Sequence, residues 1–297
     1  MNPIVEIQNI TRSFGPKTAL SNVTLEQEKG TVLGLVGENG SGKTTLIKHV
    51  LGLLKPDQGS VRVFGMDPVT DPVPVLAQIG YLSEEDILPS WMRVHELQRY
   101  MQGFYPTWDQ EYADQLVQEF GLDRNAKLMG LSKGQRARAG LMAALAYRPE
   151  LLLLDEPSSG LDPIVRRDIL GAIVRTIADE GRTVLFSSHL LGEVDRVADR
   201  IAMIKNGQIL FCENLDDLKE THLELTVVCS QPRPVPPRFA GVVGAECGGK
   251  EWSVVFKGTA AEAEVAVASI DATIAEQRWA NLDEIFVAYS RPTGGGE

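Results

Sequence analysis

The sequence predicts an α/β fold: a mainly parallel sheet covered by helices on both faces over the first two-thirds of the chain, then a small α+β module. Three observations predict it. Short apolar runs at residues 32–36, 151–154 and 183–186 each end in glycine or polar residues, the pattern of strands buried on both faces. Helical stretches such as residues 165–178 alternate with them, as the crossovers of a parallel sheet require. After about residue 220 the alternation stops and a proline-rich stretch intervenes.

Taken in order, residues 32–36 end in a Gly-rich turn and feed a helix that begins near Lys43. Residues 94–120 read as mainly helical, and residues 81–120 hold eight of the nineteen aromatic residues. That enrichment implies either a local core or an apolar docking surface, with one or two rings expected in solvent. An Ala/Leu helix over 137–147 must end before Pro149. In the module, residues 223–228 and 252–256 read as strands and 260–270 as an Ala/Glu-rich helix. Four prolines within 231–238 make a stiff connector or sheet edge. Asn281 and Glu284 have capping-box spacing before a last helix, and the Gly-rich tail 293–297 is expected to be mobile.

At 297 residues the chain suits one large domain or a main domain with an appendage. A net charge of −11 argues against nucleic acid as a partner, because phosphate contacts need a concentrated basic surface. Cys212, Cys229 and Cys247 form no CxxC pair, and with four His the composition reads as a reduced, cytoplasmic protein without a structural zinc site. No segment approaches the roughly 18 uninterrupted apolar residues of a membrane helix. Residues 1–10 lack a basic region followed by an apolar run, so neither a membrane span nor a secretory leader is expected.

Gly37-Glu-Asn39-Gly40-Ser41-Gly42-Lys43-Thr44-Thr45 fits the phosphate-loop pattern G-x4-G-K-[ST]. Glycines let successive backbone N–H groups turn inward around phosphate oxygens, where a Cβ would obstruct them. The helix that starts there aims its unpaired N–H groups at the same anion. Lys43 supplies charge for the β- and γ-phosphates, and the Thr44 hydroxyl can reach Mg²⁺. Further on, Asp155 and Glu156 end a buried strand, and the carboxyl ends of parallel strands gather at the edge where ligands bind. Asp155 is expected to hold Mg²⁺ through water, although an acid there could equally cap the next element. Glu156 is expected to orient and polarise the attacking water, work worth ~10²–10⁴ in rate. His189 follows Ser187-Ser188 to the same edge, where it would contact the γ-phosphate and hold the water with Glu156.

Leu131-Ser132-Lys133-Gly134-Gln135 precedes the Ala-rich helix, with Ser132 also suited to cap it. LSxGQ, then an Ala/Leu helix, then Arg148-Pro-Glu and LLLLDEP, set downstream of a phosphate loop, strongly resembles ABC transporter ATPase subunits over residues 4–215. The resemblance implies a P-loop NTPase core of the ABC type, mainly parallel with an antiparallel β portion and a helical subdomain at about 85–148. It divides the chain into a nucleotide-binding domain, 1–220, and an accessory module that braces a dimer, 221–297. It places Phe14 on the adenine, although a buried strand-end Phe would look identical in sequence. Ser132 and Gly134, with Gln135, would bind the γ-phosphate held by the other subunit's phosphate loop. Ser159, Gly160 and Asp162 fall in the loop that crosses the dimer interface. ATP is then sandwiched head to tail between two copies, or between this chain and another ABC ATPase. Two positions depart from the pattern. Glu84 stands where the family usually has Gln; it can ligate Mg²⁺ but adds negative charge and donates no hydrogen bond, with Glu85 as the alternative register. Lys133 replaces the commoner Gly.

Leu161-Asp-Pro163, Ser187-Ser-His189-Leu-Leu and the short C-terminal extension are similar to bacterial ATPases that pair with separately encoded ABC-2-type permeases, mostly exporters. That implies a chain held at the inner face of the cell membrane by the permease. Residues 91–108 would supply part of a groove, beside the loop containing Glu84, for a permease helix. The alternative is a soluble ABC-type ATPase in a process such as cofactor assembly. Ribosome- and DNA-linked members are disfavoured by the single ATPase half and the acidic balance.

Overall fold

The computed structural model describes residues 3–85, 88–178 and 181–291. Its first strands and helices are β1 (Val5–Phe14), β2 (Lys17–Gln27), β3 (Val32–Val36), α1 (Lys43–Val50), β4 (Gln58–Val63), α2 (Pro72–Leu76) and β5 (Ile79–Leu82). Next come α3 (Val94–Gln102), α4 (Gln110–Glu119), α5 (Lys133–Leu145), β6 (Leu151–Asp155), α6 (Pro163–Ala178), β7 (Thr183–Ser188), α7 (Leu191–Val197), β8 (Arg200–Lys205) and β9 (Gln208–Asn214). The chain ends with α8 (Leu215–Glu220), β10 (His222–Arg233), β11 (Val242–Lys257), α9 (Ala260–Ala268), β12 (Ala272–Trp279) and α10 (Leu282–Ser290). It forms two compact units that meet at Cys212 and Glu213.

In the first unit a six-stranded sheet runs β5-β6-β7-β3-β8-β9, and a three-stranded sheet runs β2-β1-β4. Pairing is parallel from β5 through to β8, and antiparallel on both sides of β1. The continuous apolar runs predict this: every residue of β3, β6 and β7 is buried. One core lies between the two sheets around α1, joining Ile7, Leu25 and Val61 to Leu46, Ile47 and Val50 and to Leu33, Leu35, Leu153 and Leu185. Each such side chain contributes about 1.5–3 kcal/mol on burial. On the opposite face α7 comes so close to β3 that a Cβ at Gly34 would lie 2.5 Å from Val194 Cγ1.

The stretch read as mainly helical at 94–120 is two helices, with Asp109 capping the second through Tyr112 N–H at 2.9 Å. Three of the eight clustered rings, Trp91, Tyr100 and Phe104, are exposed, one more than the upper expectation. Tyr100 and Phe104 meet edge to face, centroids 4.9 Å apart, and so shelter each other rather than entering the core.

The second unit begins at Glu213 rather than at 221. Leu215 and Leu218 of α8 are buried, and the Leu218 carbonyl accepts from His222 Nδ1–H at 2.8 Å, which binds α8 to β10. An antiparallel sheet, β11-β10-β12, carries a core of Leu223, Leu225, Val227, Trp252, Val254 and Phe256 under Ala263 and Val267 of α9. The two expected strands lie within longer ones, 223–228 near the start of β10 and 252–256 near the end of β11. β12 was not expected, and its burial explains why: only Ala272 is buried, so no apolar alternation marks it. Pro232 falls in the irregular step of the β10–β11 register between Val228 and Arg233, where a missing N–H breaks no ladder bond. The last helix is capped as predicted by Asn281 and Glu284, and the tail at 293–297 lies outside the described residues.

His222 is buried, with Nδ1–H donating to Leu218 and Nε2 left to accept from the Tyr289 hydroxyl at 3.2 Å. Burial holds its pKa below the ordinary 6.5, against the Leu218 bond; Lys257 lowers it further and Glu213 opposes. A depressed folded-state pKa gives stability that is present above about pH 6.5 and lost as pH falls through the folded value. The urea midpoint of the wild type should therefore fall more steeply than that of His222→Gln between about pH 7 and about pH 5. Parallel curves would show that the neutral imidazole contributes nothing specific.

Candidate active site

The sheet order sets the site. β3 lies beside β7, and β7 beside β6, so the loops leaving these three strands open at one edge. The loop after β3 is closely fitted: a Cβ at Gly37 would lie 2.3 Å from the Ile204 carbonyl oxygen and 2.6 Å from Ser41 Oγ. Gly42 adopts φ +117, a conformation that L side chains resist. Gly207 N–H donates to the Ser41 carbonyl at 2.8 Å and anchors the loop to the β8–β9 turn. Asn39 and Gly40 stand exposed at its tip, and the Thr45 carbonyl accepts from His49 Nδ1–H at 2.7 Å. The first turn of α1 carries no acidic side chain, leaving its positive end uncompensated. Ser41 Oγ is buried and makes no hydrogen bond among the described residues.

Lys43 is buried, and its Nζ donates to the carbonyls of Gly37 at 2.7 Å and Glu38 at 3.2 Å. The same ammonium lies 3.0 Å from Glu156 Oε1. Asp155, at the end of β6, turns toward the phosphate loop: it accepts from Ser187 Oγ at 2.7 Å and from the Thr44 hydroxyl. Its pKa is nonetheless raised, first by burial and then by the negative charges of Glu156 and Glu84, with the Ser187 and Thr44 bonds opposing. Glu156 has φ +48, a strained position that costs ~1–3 kcal/mol for a residue with a Cβ. Its N–H donates to Ser187 Oγ at 2.9 Å, and its Oε2 accepts from His189 Nδ1–H at 2.7 Å. A carboxylate only accepts, so Nδ1 carries the proton and Nε2 faces away from it. Lys43, Glu156 and His189 thus form one chain of contacts.

Other predicted residues stand apart from that chain. Phe14 ends β1 half-exposed, with the Arg12 guanidinium 4.9 Å from the ring centre and Asp57 holding Arg12 at 2.8 Å. Ser132 and Gln135 bond each other reciprocally: Ser132 Oγ accepts from Gln135 N–H at 3.2 Å, and Gln135 Oε1 accepts from Ser132 N–H at 3.0 Å. Gly134 lies so near α6 that a Cβ would meet Val165 Cγ2 at 2.7 Å. Lys133 Nζ donates to the Ser159 carbonyl at 2.7 Å and sits over Gly160, while Asp162 caps α6 through Ile164 N–H at 2.9 Å. Glu84 and Glu85 are both exposed, and the charge of Glu84 acts on Asp155. Glu84 borders an apolar groove of about 770 Å³ lined by Leu82, Leu97, Tyr100, Met101 and Tyr105. Sequence reasoning assigned nothing to Ser187 beyond its place before His189, and missed Glu193 altogether; the carboxylate of Glu193 has no motif to mark it.

An anion cradle beside a paired carboxylate and imidazole is suited to splitting a phosphoric anhydride with water. Residues 20–159 match the family model described as ABC transporter. The ABC transporter ATP-binding protein NatA of Bacillus subtilis is 34% identical over 228 residues, 73% of this chain and 92% of its own. The chain belongs to the ATP-binding subunits of ABC transporters. In this family it is an ATPase, hydrolysing ATP for transport. The daunorubicin/doxorubicin resistance ATP-binding protein DrrA of Streptomyces peucetius is 34% identical over 73% of this chain and 67% of its own. Among solved structures, an ATP-binding cassette in a dimeric post-hydrolysis state with ADP and Pi matches with a TM-score of 0.64 and 25% identity, over 71% of this chain and 98% of that one. No helix among the described residues is long and apolar enough to cross a membrane.

Proposed function

We propose that this ABC subunit works as a head-to-tail dimer, with a second copy or another ABC ATPase, that closes on two ATP–Mg²⁺ and drives a separately encoded ABC-2-type permease, an exporter. The observation that carries the hydrolytic part of the reading is the contact chain Lys43–Glu156–His189 at the mouth of the phosphate loop. In it Lys43 exchanges its carbonyl partners for the β- and γ-phosphates. Glu156 takes the proton of the attacking water while His189, oriented by Glu156, turns Nε2 toward the γ-phosphate side, where its lone pair accepts the water's other hydrogen. Gly37 to Thr45 cradle the phosphates, and Ser41 Oγ is a further donor for them. The hydroxyl of Thr44 and the carboxylates of Asp155 and Glu84 are hard oxygen donors that fit Mg²⁺. Bound there, the ion would supply charge neutralisation to the phosphates. From the other subunit, Ser132, Gly134 and Gln135 donate to the γ-phosphate, and Ser159, Gly160 and Asp162 line the interface.

The groove beside Glu84 suits an apolar permease helix, which would hold the subunit at the cytoplasmic face of the membrane. The name of DrrA supports an export role. The unit from Glu213 onward braces the dimer. Sedimentation of Glu156→Gln with ATP and Mg²⁺ should show twice the monomer mass, reverting with ADP; a monomer under both conditions would sink the sandwich of two copies and leave only pairing with another ABC ATPase. Recovery of a multi-span membrane protein with the tagged wild type from detergent extracts tests the permease. For the base, Phe14→Ala should weaken ATP binding by ~1–3 kcal/mol, about five- to 150-fold. Unchanged affinity in a titration would remove the ring from the site.

A further inference from the structure

Glu193, on α7, belongs to none of the sequence motifs and is 4% exposed. Its two oxygens are divided between the loop after β6 and the end of β7. Oε1 accepts from the Ser158 hydroxyl at 2.5 Å, and Oε2 accepts from the Ser188 hydroxyl at 2.9 Å. Arg166 Nε of α6 lies 3.2 Å from Oε1 and balances the charge. A buried carboxylate is costly unless paired and hydrogen-bonded, and an apolar residue of similar volume often serves a core as well. What a leucine could not do here is accept two hydroxyl protons from segments at the ends of two different strands.

Those segments carry the site. Ser158 follows Glu156 by two residues, and Ser188 immediately precedes His189. Ser187, within β7, makes a second join, donating to Asp155 at the end of β6 and accepting from Glu156 N–H. Two joins fix the relative position of the two segments, where one would leave a pivot. The distance they set is the 2.7 Å between Glu156 Oε2 and His189 Nδ1.

We propose that Glu193 is a positioning residue for ATP hydrolysis: by holding the Ser158 and Ser188 hydroxyls it sets the Glu156–His189 geometry and the origin of the loop that runs through Ser159 to Asp162, without touching nucleotide. The proposal rests on the roles given above to Glu156 and His189. Its partners lie on the loop after β6, at the last residue of β7 and on α6, not on the phosphate loop, so it acts on turnover and not on ATP affinity.

The test compares kcat and KM for ATP in Glu193→Ala, Glu193→Gln, Ser158→Ala and Ser188→Ala. Glu193→Ala should lower kcat about tenfold or more with KM within about threefold, and Glu193→Gln, which retains one carbonyl acceptor, should recover most of the turnover. Adding Ser158→Ala to Glu193→Ala should cost nothing further, since that hydroxyl has already lost its acceptor. Should Glu193→Ala not fold, the Ser158→Ala/Ser188→Ala double variant carries the test and should lose kcat several-fold at constant KM. Wild-type kcat in whichever of these two is folded overturns the proposal, as does a loss matched by an equal rise in KM. An inactive Glu156→Gln beside a fully active Glu193→Ala sinks only the positioning role, whereas an active Glu156→Gln sinks the catalytic assignment beneath it.

Discussion

Glu156→Gln should lower ATP turnover by about 10²- to 10⁴-fold while ATP still binds. The amide keeps the shape of the side chain and tolerates the φ of +48 no worse than the acid does. It can still accept the hydrogen bond from His189. It loses the basic lone pair that would take the proton of water, and it loses the charge that lies 3.0 Å from Lys43 Nζ. Freed of that competitor, Lys43 is more available to phosphate, so affinity should hold or rise. Single-turnover hydrolysis, with binding of a fluorescent ATP analogue measured separately, reads the two effects. Turnover near the wild-type rate would move the base elsewhere.

Gly37→Ala should abolish useful nucleotide binding, with at least a 100-fold loss of affinity on the order of the ~3 kcal/mol that severe overpacking costs. The added Cβ would meet the Ile204 carbonyl oxygen at 2.3 Å, a backbone atom, so no rotamer change relieves the clash. The loop cannot drift away without breaking the Gly207–Ser41 backbone bond and the Lys43 bond to the Gly37 carbonyl. Gly40→Ala makes the contrast: its Cβ would enter open space, and only the φ of +79 resists it. That variant should lose about 1 kcal/mol of stability and keep most of its affinity. Calorimetric titration with urea denaturation of both variants checks the ordering, and equal effects at 37 and 40 would mean that the close fit at Gly37 is not what the loop depends on.

Much of this architecture could be read from local chemistry. Strands 3, 6 and 7 announce themselves because both of their faces are buried and their residues are therefore uniformly apolar. Caps at Ser132 and Asn281 are visible because the acceptor and the reciprocating Gln135 or Glu284 lie three residues apart. What escaped is non-local or unpatterned. The Ser158–Glu193 bond spans 35 residues and joins types that are ordinary on any surface. β12 is an edge strand with mostly exposed side chains, so it carries no apolar alternation. The second unit starts at Glu213 because of buried Leu215 and Leu218 in a short helix, which a composition shift at 220 could not reveal. The site follows the same rule. Residues named by motif were found together where one strand order unites them, and the residue that stitches their loops had no motif to name it.

The reciprocal cap at the start of α5 has a consequence for polarity. Ser132 Oγ spends an acceptor site on the Gln135 N–H, and Gln135 Oε1 spends its own on the Ser132 N–H. Each oxygen keeps one lone pair, while the side-chain protons all remain: the hydroxyl hydrogen of one and the amide hydrogens of the other. This tip therefore offers more hydrogens than lone pairs outward. It is better matched to an oxygen-rich anion than to an ammonium or an amide hydrogen, so a preference for what docks there is set before any docking takes place.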